Sequence, residues 1–377
     1  LIYKLCSNDF LKTYHALGCD KTGSKILNLK SNMHTILLKN LHVGAANILK
    51  QDALSIGADL AVPMGVIIAR DKYVDAILIA NNKQLQTLSK KELAQPFGLK
   101  QIAKELKKFI FPPQAPTKIM GIVNANEDSF FKNSRFNGQQ AVTKMQTMIE
   151  QGASIIDLGA VSSRPGSVAV SQEEELRRIQ PILDIIKQEK LYEKAQFSLD
   201  SYTPSVLEYA LDCGFGIIND ITGLQNDEVA KLASTYHATV VIMHMQNNPL
   251  NMQENPFYED VISDVHDFFA QRIQKAKDFG VDNIILDVGI GFGKRLEDNL
   301  KLLNSHEHFR YFGYELLIGA SRKSMINSIV PSSIEQRLPG TLAIHLEAIK
   351  KGASIVRCHD VSEHYQAIKV QEAILNA

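Results

Sequence analysis

At 377 residues, 45% of them hydrophobic, the chain exceeds one typical domain and can bury a sizeable core. Lysine plus arginine equals aspartate plus glutamate at 41 each, which argues against a nucleic-acid partner held by bulk electrostatics. No apolar run reaches the roughly 18–20 residues that span a bilayer, and the opening LIYKLCSNDF is too polar for a secretory signal. Cys6, Cys19, Cys213 and Cys358 are scattered without zinc-like spacing, which fits a reducing cytoplasm.

Residues 1 to about 111 read as a separate small α/β or α+β unit. Ile36 to Leu38, Asp59 to Val62 and Val74 to Ala80 have the character of strands, and Ala45 to Ile56 and Leu99 to Phe109 have helical periodicity. His15, His34 and His42 lack metal-ligand spacing, and this unit carries no motif that assigns it a role. The stretch FPPQAPTK, Phe111 to Lys118, holds three prolines that discourage helix and sheet, so it reads as the linker to a second domain over 112–377.

From Lys118 onward, short apolar runs alternate with amphipathic stretches. The strand candidates are Ile119 to Asn124, Ile155 to Leu158, Phe197 to Asp200, Ile217 to Asn219, Thr239 to Met243, Ile284 to Asp287, Leu316 to Ala320 and Ile355 to Cys358. Helices are expected between them, among them Gln172 to Gln188, Pro204 to Cys213, Tyr258 to Phe279 and Ile334 to Lys351. Eight such pairs over about 260 residues match a (β/α)8 TIM barrel, with a doubly wound open sheet as the alternative. The expected fold is therefore a TIM barrel preceded by a small N-terminal domain.

The strand ends are polar almost throughout: Asn124, Asp157, Asp200, Asn219 with Asp220, His244, Asp287, Ser321-Arg322-Lys323, and Arg357 with His359 and Asp360. An aspartate at one strand end is as often a helix cap as a functional group, but nearly eight polar ends are harder to assign to capping. In a barrel they converge on one bowl at the C-terminal face. Asp200, Asn219, Asp287 and Lys323 suit a flat heterocycle with an amide edge and an exocyclic amine. Arg357, His359 and Asn124, brought together by neighbouring first and last strands, suit a pyrophosphate, with Asn124 offering an oxygen to Mg²⁺. A surface ion pair of Arg357 or His359 with Asp360 is the competing reading. Ile284 to Lys294, IILDVGIGFGK, ends a strand in Asp287 and follows it with three alternating glycines that let backbone approach a ligand. No nucleophile stands beside a base at a known spacing, so the site reads as one that holds and polarises rather than attacks.

Eight motifs occur in one order: MGIVNANEDSF from Met120, SSRPGS from Ser162, SLDSYTP from Ser198, INDITG from Ile218, MHMQ from Met243, LDVGIGFGK from Leu286, GASRKSMI from Gly319 and VRCHDV from Val356. In them the chain from Lys118 to about Leu375 resembles dihydropteroate synthase. The resemblance implies a transferase of folate biosynthesis, and a sulfonamide target, that joins a dihydropterin pyrophosphate to p-aminobenzoate with Mg²⁺. It implies that Asp200, Asn219, Asp287, Lys323 and Met243 hold the pterin, and that Asn124, Arg357 and His359 hold the pyrophosphate, with Asn124 on the metal. Asp128, Phe130, Ser163, Arg164, Pro165 and Ser324 would meet p-aminobenzoate, and Lys323, Asp200 and Arg357 would carry catalysis. A homodimer is implied, and no nucleic acid or membrane partner. The first loop lacks the family's usual proline, Ala160 and Val161 replace Gly-Glu, Ser163 replaces Thr, and Val288 replaces Pro after Asp287. A pterin-binding methyltransferase barrel and a catalytically idle pterin-binding module are the rival readings. The first brings no pyrophosphate for SRKS and VRCHD to bind.

Overall fold

The computed structural model describes residues 2, 5, 10–112, 115–125, 134–159, 170–247 and 251–376, with only the backbone described for 134–137 and 376. The chain forms two compact units, Leu1–Pro112 and Pro113–Ala377.

The first unit is a three-stranded antiparallel sheet with helices on one face, an α+β arrangement. Its elements are α1 (Leu11–Ala16), α2 (Lys21–Ser31), β1 (Met33–His42), α3 (Val43–Ser55), β2 (Asp59–Ala61), β3 (Tyr73–Asn81), α4 (Asn82–Lys91) and α5 (Leu99–Lys107), with strand order β1-β3-β2. Along β3 the period of two buries Val74, Ala76, Leu78 and Ala80. These pack with Leu49 of α3, Leu85 and Leu88 of α4 and Leu99 and Leu106 of α5. Helix α4 was not expected from its polar sequence. Asn81 and Gln84 start it with a reciprocal capping box, and Leu85 and Leu88 dock it on the core.

The second unit is a closed barrel of eight parallel strands. It runs β4 (Lys118–Asn124), α6 (Ser134–Glu150), β5 (Ile155–Gly159), α7 (Gln172–Gln188), β6 (Gln196–Asp200), α8 (Pro204–Asp212), β7 (Ile217–Asp220) and α9 (Asp227–Thr235). It continues through β8 (Thr239–Met243), α10 (Val261–Asp278), β9 (Ile284–Asp287), α11 (Leu296–Asn304), β10 (Glu315–Ile318), α12 (Ser324–Ile329), α13 (Leu338–Lys350), β11 (Ile355–Cys358) and α14 (Val361–Asn376). The expected strands and the open-sheet alternative are thereby decided in favour of the TIM barrel.

Side-chain alternation sorts each strand. Outward residues such as Ile156, Leu158, Phe197, Leu199, Ile242 and Leu286 bury against the helices. Inward, a separate apolar plug of Met120, Ile155, Ile217, Val241, Ile285, Leu317 and Ile355 fills the lower barrel. Two residues further along β5, β7, β9 and β11 the same alternation delivers Asp157, Asn219, Asp287 and Arg357. The charged layer thus rests on a dry floor.

Candidate active site

Arg357 is the centre of that layer. Its Nε donates to Asp157 Oδ2 at 2.6 Å and its terminal nitrogen to Asp200 Oδ2 at 2.8 Å. Asn219 Nδ2 adds a bond to Asp157 Oδ2 at 3.1 Å. Asp157 is fully buried, and its Oδ1 has no hydrogen-bond partner among the described residues. Burial opposes the Arg357 charge, but Asp157 and Asp200 outweigh it and hold the guanidinium above its ordinary range. Burial pushes Asp200 up to about 7 against the pull of Arg357, with Asp157, Glu175 and Asp220 adding to the push. The loop after Asp200 is pinned from α7, where Glu175 accepts from Ser201 Oγ and Thr203 Oγ1, both at 2.7 Å.

The second half of the cup is built on the glycine loop. Asp287 Oδ1 accepts from Gly289 N–H at 2.8 Å, and Lys323 Nζ donates to Ile290 O while lying 4.2 Å from the Phe292 ring centroid. Burial raises Asp287, with the Lys323 ammonium working against it. Burial lowers Lys323 to about 7, with Asp287 opposing. Gly289 has φ +66°, and a Cβ there would sit 2.0 Å from His244 O. Gly291 has φ +81°, and its Cβ would meet Lys323 Cδ at 3.0 Å. These two glycines are required by conformation and space. Lys294, buried at 4% exposure, faces inside the loop rather than a ligand. Its ammonium donates to the carbonyls of His244, Gly289 and Phe292 at 3.1, 3.0 and 2.9 Å, and burial lowers it to about 7. Tyr258 OH closes the loop on Gly293 O at 2.7 Å.

The third wall joins the loops after β10 and β11. Ser321 Oγ and His359 Nδ1 lie 2.9 Å apart, and Arg322 makes a two-pronged bond to Asp360 at 2.9 and 2.7 Å. Arg322 has φ +55°, a left-handed conformation that costs a non-glycine residue roughly 1–2 kcal/mol. Burial and the Arg357 charge lower His359 to about 4.

The expected bowl needs three corrections. Asp220 follows the inward Asn219, and its carboxylate instead serves the next turn, accepting from Thr222 N, Thr222 Oγ1 and Leu224 N at 2.7, 2.6 and 2.9 Å. His244 follows the inward Met243 and packs edge-on to Phe268 at 4.9 Å between centroids, with burial pushing its imidazole well down. Asp360 pairs with Arg322, so the competing ion pair with Arg357 or His359 is not made. The structure brings Asp200, Asn219, Met243, Asp287, Lys323, Arg357 and His359 to the mouth of one barrel, with Asn124 ending β4. Ser324 opens α12 at the surface. Asp128, Phe130, Ser163, Arg164 and Pro165 lie outside the described residues. In the sequence Asp157 is a polar strand end with no local sign of a role. Its partner Arg357 is 200 residues away, and only the inward parity of both residues could have linked them.

A floor of carboxylates and an amide beside a lysine and an arginine, at the C-terminal mouth of a TIM barrel, defines a heterocycle-binding enzyme. The family described as pterin binding enzyme matches residues 120–359. A dihydropteroate synthase of Escherichia coli is 40% identical over 69% of this chain and 92% of its own. A bifunctional dihydropteroate synthase/dihydropteroate reductase of Helicobacter pylori is 38% identical over 99% of both chains. The Yersinia pestis dihydropteroate synthase in a sulfonamide drug complex superposes with TM-score 0.65 at 35% identity, over 70% of this chain and 95% of that one. The Thermus thermophilus enzyme in complex with 4-aminobenzoate gives 0.61 at 34%, over 69% and 95%. The chain belongs to the dihydropteroate synthases, transferases of folate biosynthesis.

Proposed function

We propose that the barrel mouth holds the substrates of this condensation as follows. Asp200, Asn219, Asp287 and Lys323 contact the pterin edge, with Met243 beneath it. Arg357, His359 and Asn124 meet the pyrophosphate. Ser324, with the loops that carry Asp128, Phe130, Ser163, Arg164 and Pro165, meets p-aminobenzoate and the sulfonamides that imitate it. The observation that carries this reading is the polar layer Asp157–Arg357–Asp200 with Asn219, Asp287 and Lys323, raised on an apolar plug.

In the reaction the methylene–oxygen bond of the pterin breaks, the pyrophosphate leaves with the electron pair, and the arylamine nitrogen forms the new bond and gives up a proton. A neutral arylamine is nucleophilic without a strong base, so positioning and charge stabilisation suffice. Asp200 and Asp287 favour positive charge growing on the pterin, Lys323 orients it, and Arg357 and His359 face the departing anion.

Among the described residues no three His, Cys, Asp or Glu cluster as a metal cage. A Cβ at Gly159 would lie 3.6 Å from Asn124 Oδ1, so the glycine leaves room before that oxygen. A single amide oxygen with open space fits Mg²⁺ that completes its shell from phosphate and water. Asn124 would hold it, and the ion would neutralise phosphate oxygens.

The end-to-end match to the bifunctional Helicobacter pylori protein favours a second activity of the full chain, reduction of dihydropteroate by a hydride from a separate two-electron donor and a proton from solvent, with the 1–112 unit as the part that shorter synthases lack. We also propose a cytoplasmic homodimer. No helix among the described residues is long and apolar enough to cross a membrane. The test of the main reading is pyrophosphate release by the full chain and by Lys323→Ala. Loss of about 100-fold or more in kcat/KM is expected, and a variant within threefold of wild type would overturn the assignment.

A further inference from the structure

Beneath the wall that joins the last two strand loops lies a pair of histidines that the reaction does not touch. His345 of α13 and His364 of α14 are each 1% exposed. Ala320 N–H donates to His345 Nε2 at 3.0 Å, His345 Nδ1 and His364 Nε2 are 2.8 Å apart, and His364 Nδ1 lies 2.6 Å from Asp360 O. An amide N–H can only donate and a carbonyl can only accept, so the direction of every link is fixed. His345 must carry its proton on Nδ1, and so must His364. A further proton on either ring would set donor against donor and break a link. Burial lowers both imidazoles; at His345 the neighbouring His364 and Lys323 add to it, while at His364 the bond to the Asp360 carbonyl and the Asp360 and Glu363 carboxylates oppose it.

The ends of this chain are informative. Ala320 opens the loop that leads through the left-handed Arg322 to Lys323. Asp360 follows His359 just past the end of β11, the strand that carries Arg357. One turn before His345 on α13, Thr341 Oγ1 accepts from Arg322 N–H at 2.9 Å, so this face of α13 holds the strained loop at two amides. The outer links, Ser321–His359 and Arg322–Asp360, are partly exposed, and the histidine chain is the buried one.

We propose that the buried His345–His364 pair is a positioning relay that sets the Lys323 loop against the end of β11 that carries Arg357 and His359, so that the groups for the pterin and its pyrophosphate move as one unit. This rests on the site assignment above.

Nitrogen-15 labelling of histidine in the full chain reads the relay directly. Two rings with the proton on Nδ1 and hydrogen-bonded are expected, and either ring protonated on Nε2 would overturn it. His364→Leu removes both an acceptor and a donor. It is expected to lower kcat/KM about 10-fold through the KM for the pterin pyrophosphate, leaving that for p-aminobenzoate within about twofold. His364→Gln, whose amide can accept from His345 and donate to Asp360 O, is expected to return within about threefold of wild type. A glutamine variant as impaired as the leucine one, or a leucine variant with wild-type kinetics, sinks the relay. Where the leucine variant does not fold, the nitrogen spectra and the glutamine variant decide. Lys323→Ala run in parallel separates the two ideas. If it leaves kcat/KM within threefold of wild type, the site assignment fails while the tautomer result still stands or falls alone.

Discussion

The two units bury carboxylates in opposite ways. In the barrel, Asp157, Asp200 and Asp287 face Arg357 and Lys323, so each buried charge has a partner or a backbone donor. In the first unit Glu92 is fully buried, and neither oxygen receives a hydrogen bond among the described residues. Its neighbour is Asp52, which already binds Lys91 at 2.7 Å. Burial and the Asp52 charge lift Glu92 to about 7. At the end of the barrel the buried carboxylates face cations, whereas Glu92 faces another carboxylate and is pushed towards keeping its proton. What separates the two is the partner supplied from a distant strand.

The sharpest way to break this comparison is to remove the partner. Asp157→Ala takes the shorter bond from a guanidinium whose side chain is only 20% exposed, and should lower stability by about 3 kcal/mol in urea unfolding. Removing the exposed Lys369–Glu372 pair should leave the unfolding midpoint unchanged within error. Equal effects from both would show that the cup is not a compensated site.

Next in size is Glu92→Gln. Glu92 holds its proton in the folded state up to about 7, against 4.5 as a free side chain. Its contribution is therefore intact below pH 4.5 and declines as pH rises towards and through 7. The variant should gain about 2 kcal/mol on wild type at pH 8 relative to pH 4.5, read from unfolding midpoints at each pH. A pH-independent difference would show that Glu92 is ionised and compensated after all.

Lys294→Met should follow at about 2 kcal/mol, because three carbonyls of the glycine loop lose their common donor. The pterin KM should rise with it as the loop loosens around Asp287. The smallest effect belongs to His244→Phe, which keeps the aromatic packing on Phe268 and should leave pterin binding within about twofold, measured by calorimetry.

Much of the barrel was legible because apolar runs of four to seven residues each stopped at a polar group, and the structure has strands at all eight places. What was not legible followed from parity and distance. Asn219 and Asp220 are adjacent in sequence, yet one faces the cup and the other caps a turn, a distinction set by one step of the strand period. Lys294 closes the glycine stretch in sequence, and the loop folds over it so that three carbonyls accept from the ammonium. Asp157 stood among the strand ends without a role, since nothing local announces a partner on the last strand. The tie between Ala320 and Asp360 through two histidines is likewise a product of helix packing, invisible in any short motif.

The central claim is that the compensated layer is the pterin pyrophosphate site. Calorimetric titration of 6-hydroxymethyl-7,8-dihydropterin pyrophosphate with Mg²⁺ into the full chain, Asp287→Asn and Asp220→Asn tests it most directly. The account predicts that Asp287→Asn weakens binding by about 10-fold or more, while folded Asp220→Asn stays within about threefold. Undiminished binding to Asp287→Asn, or equal loss in both variants, would contradict it.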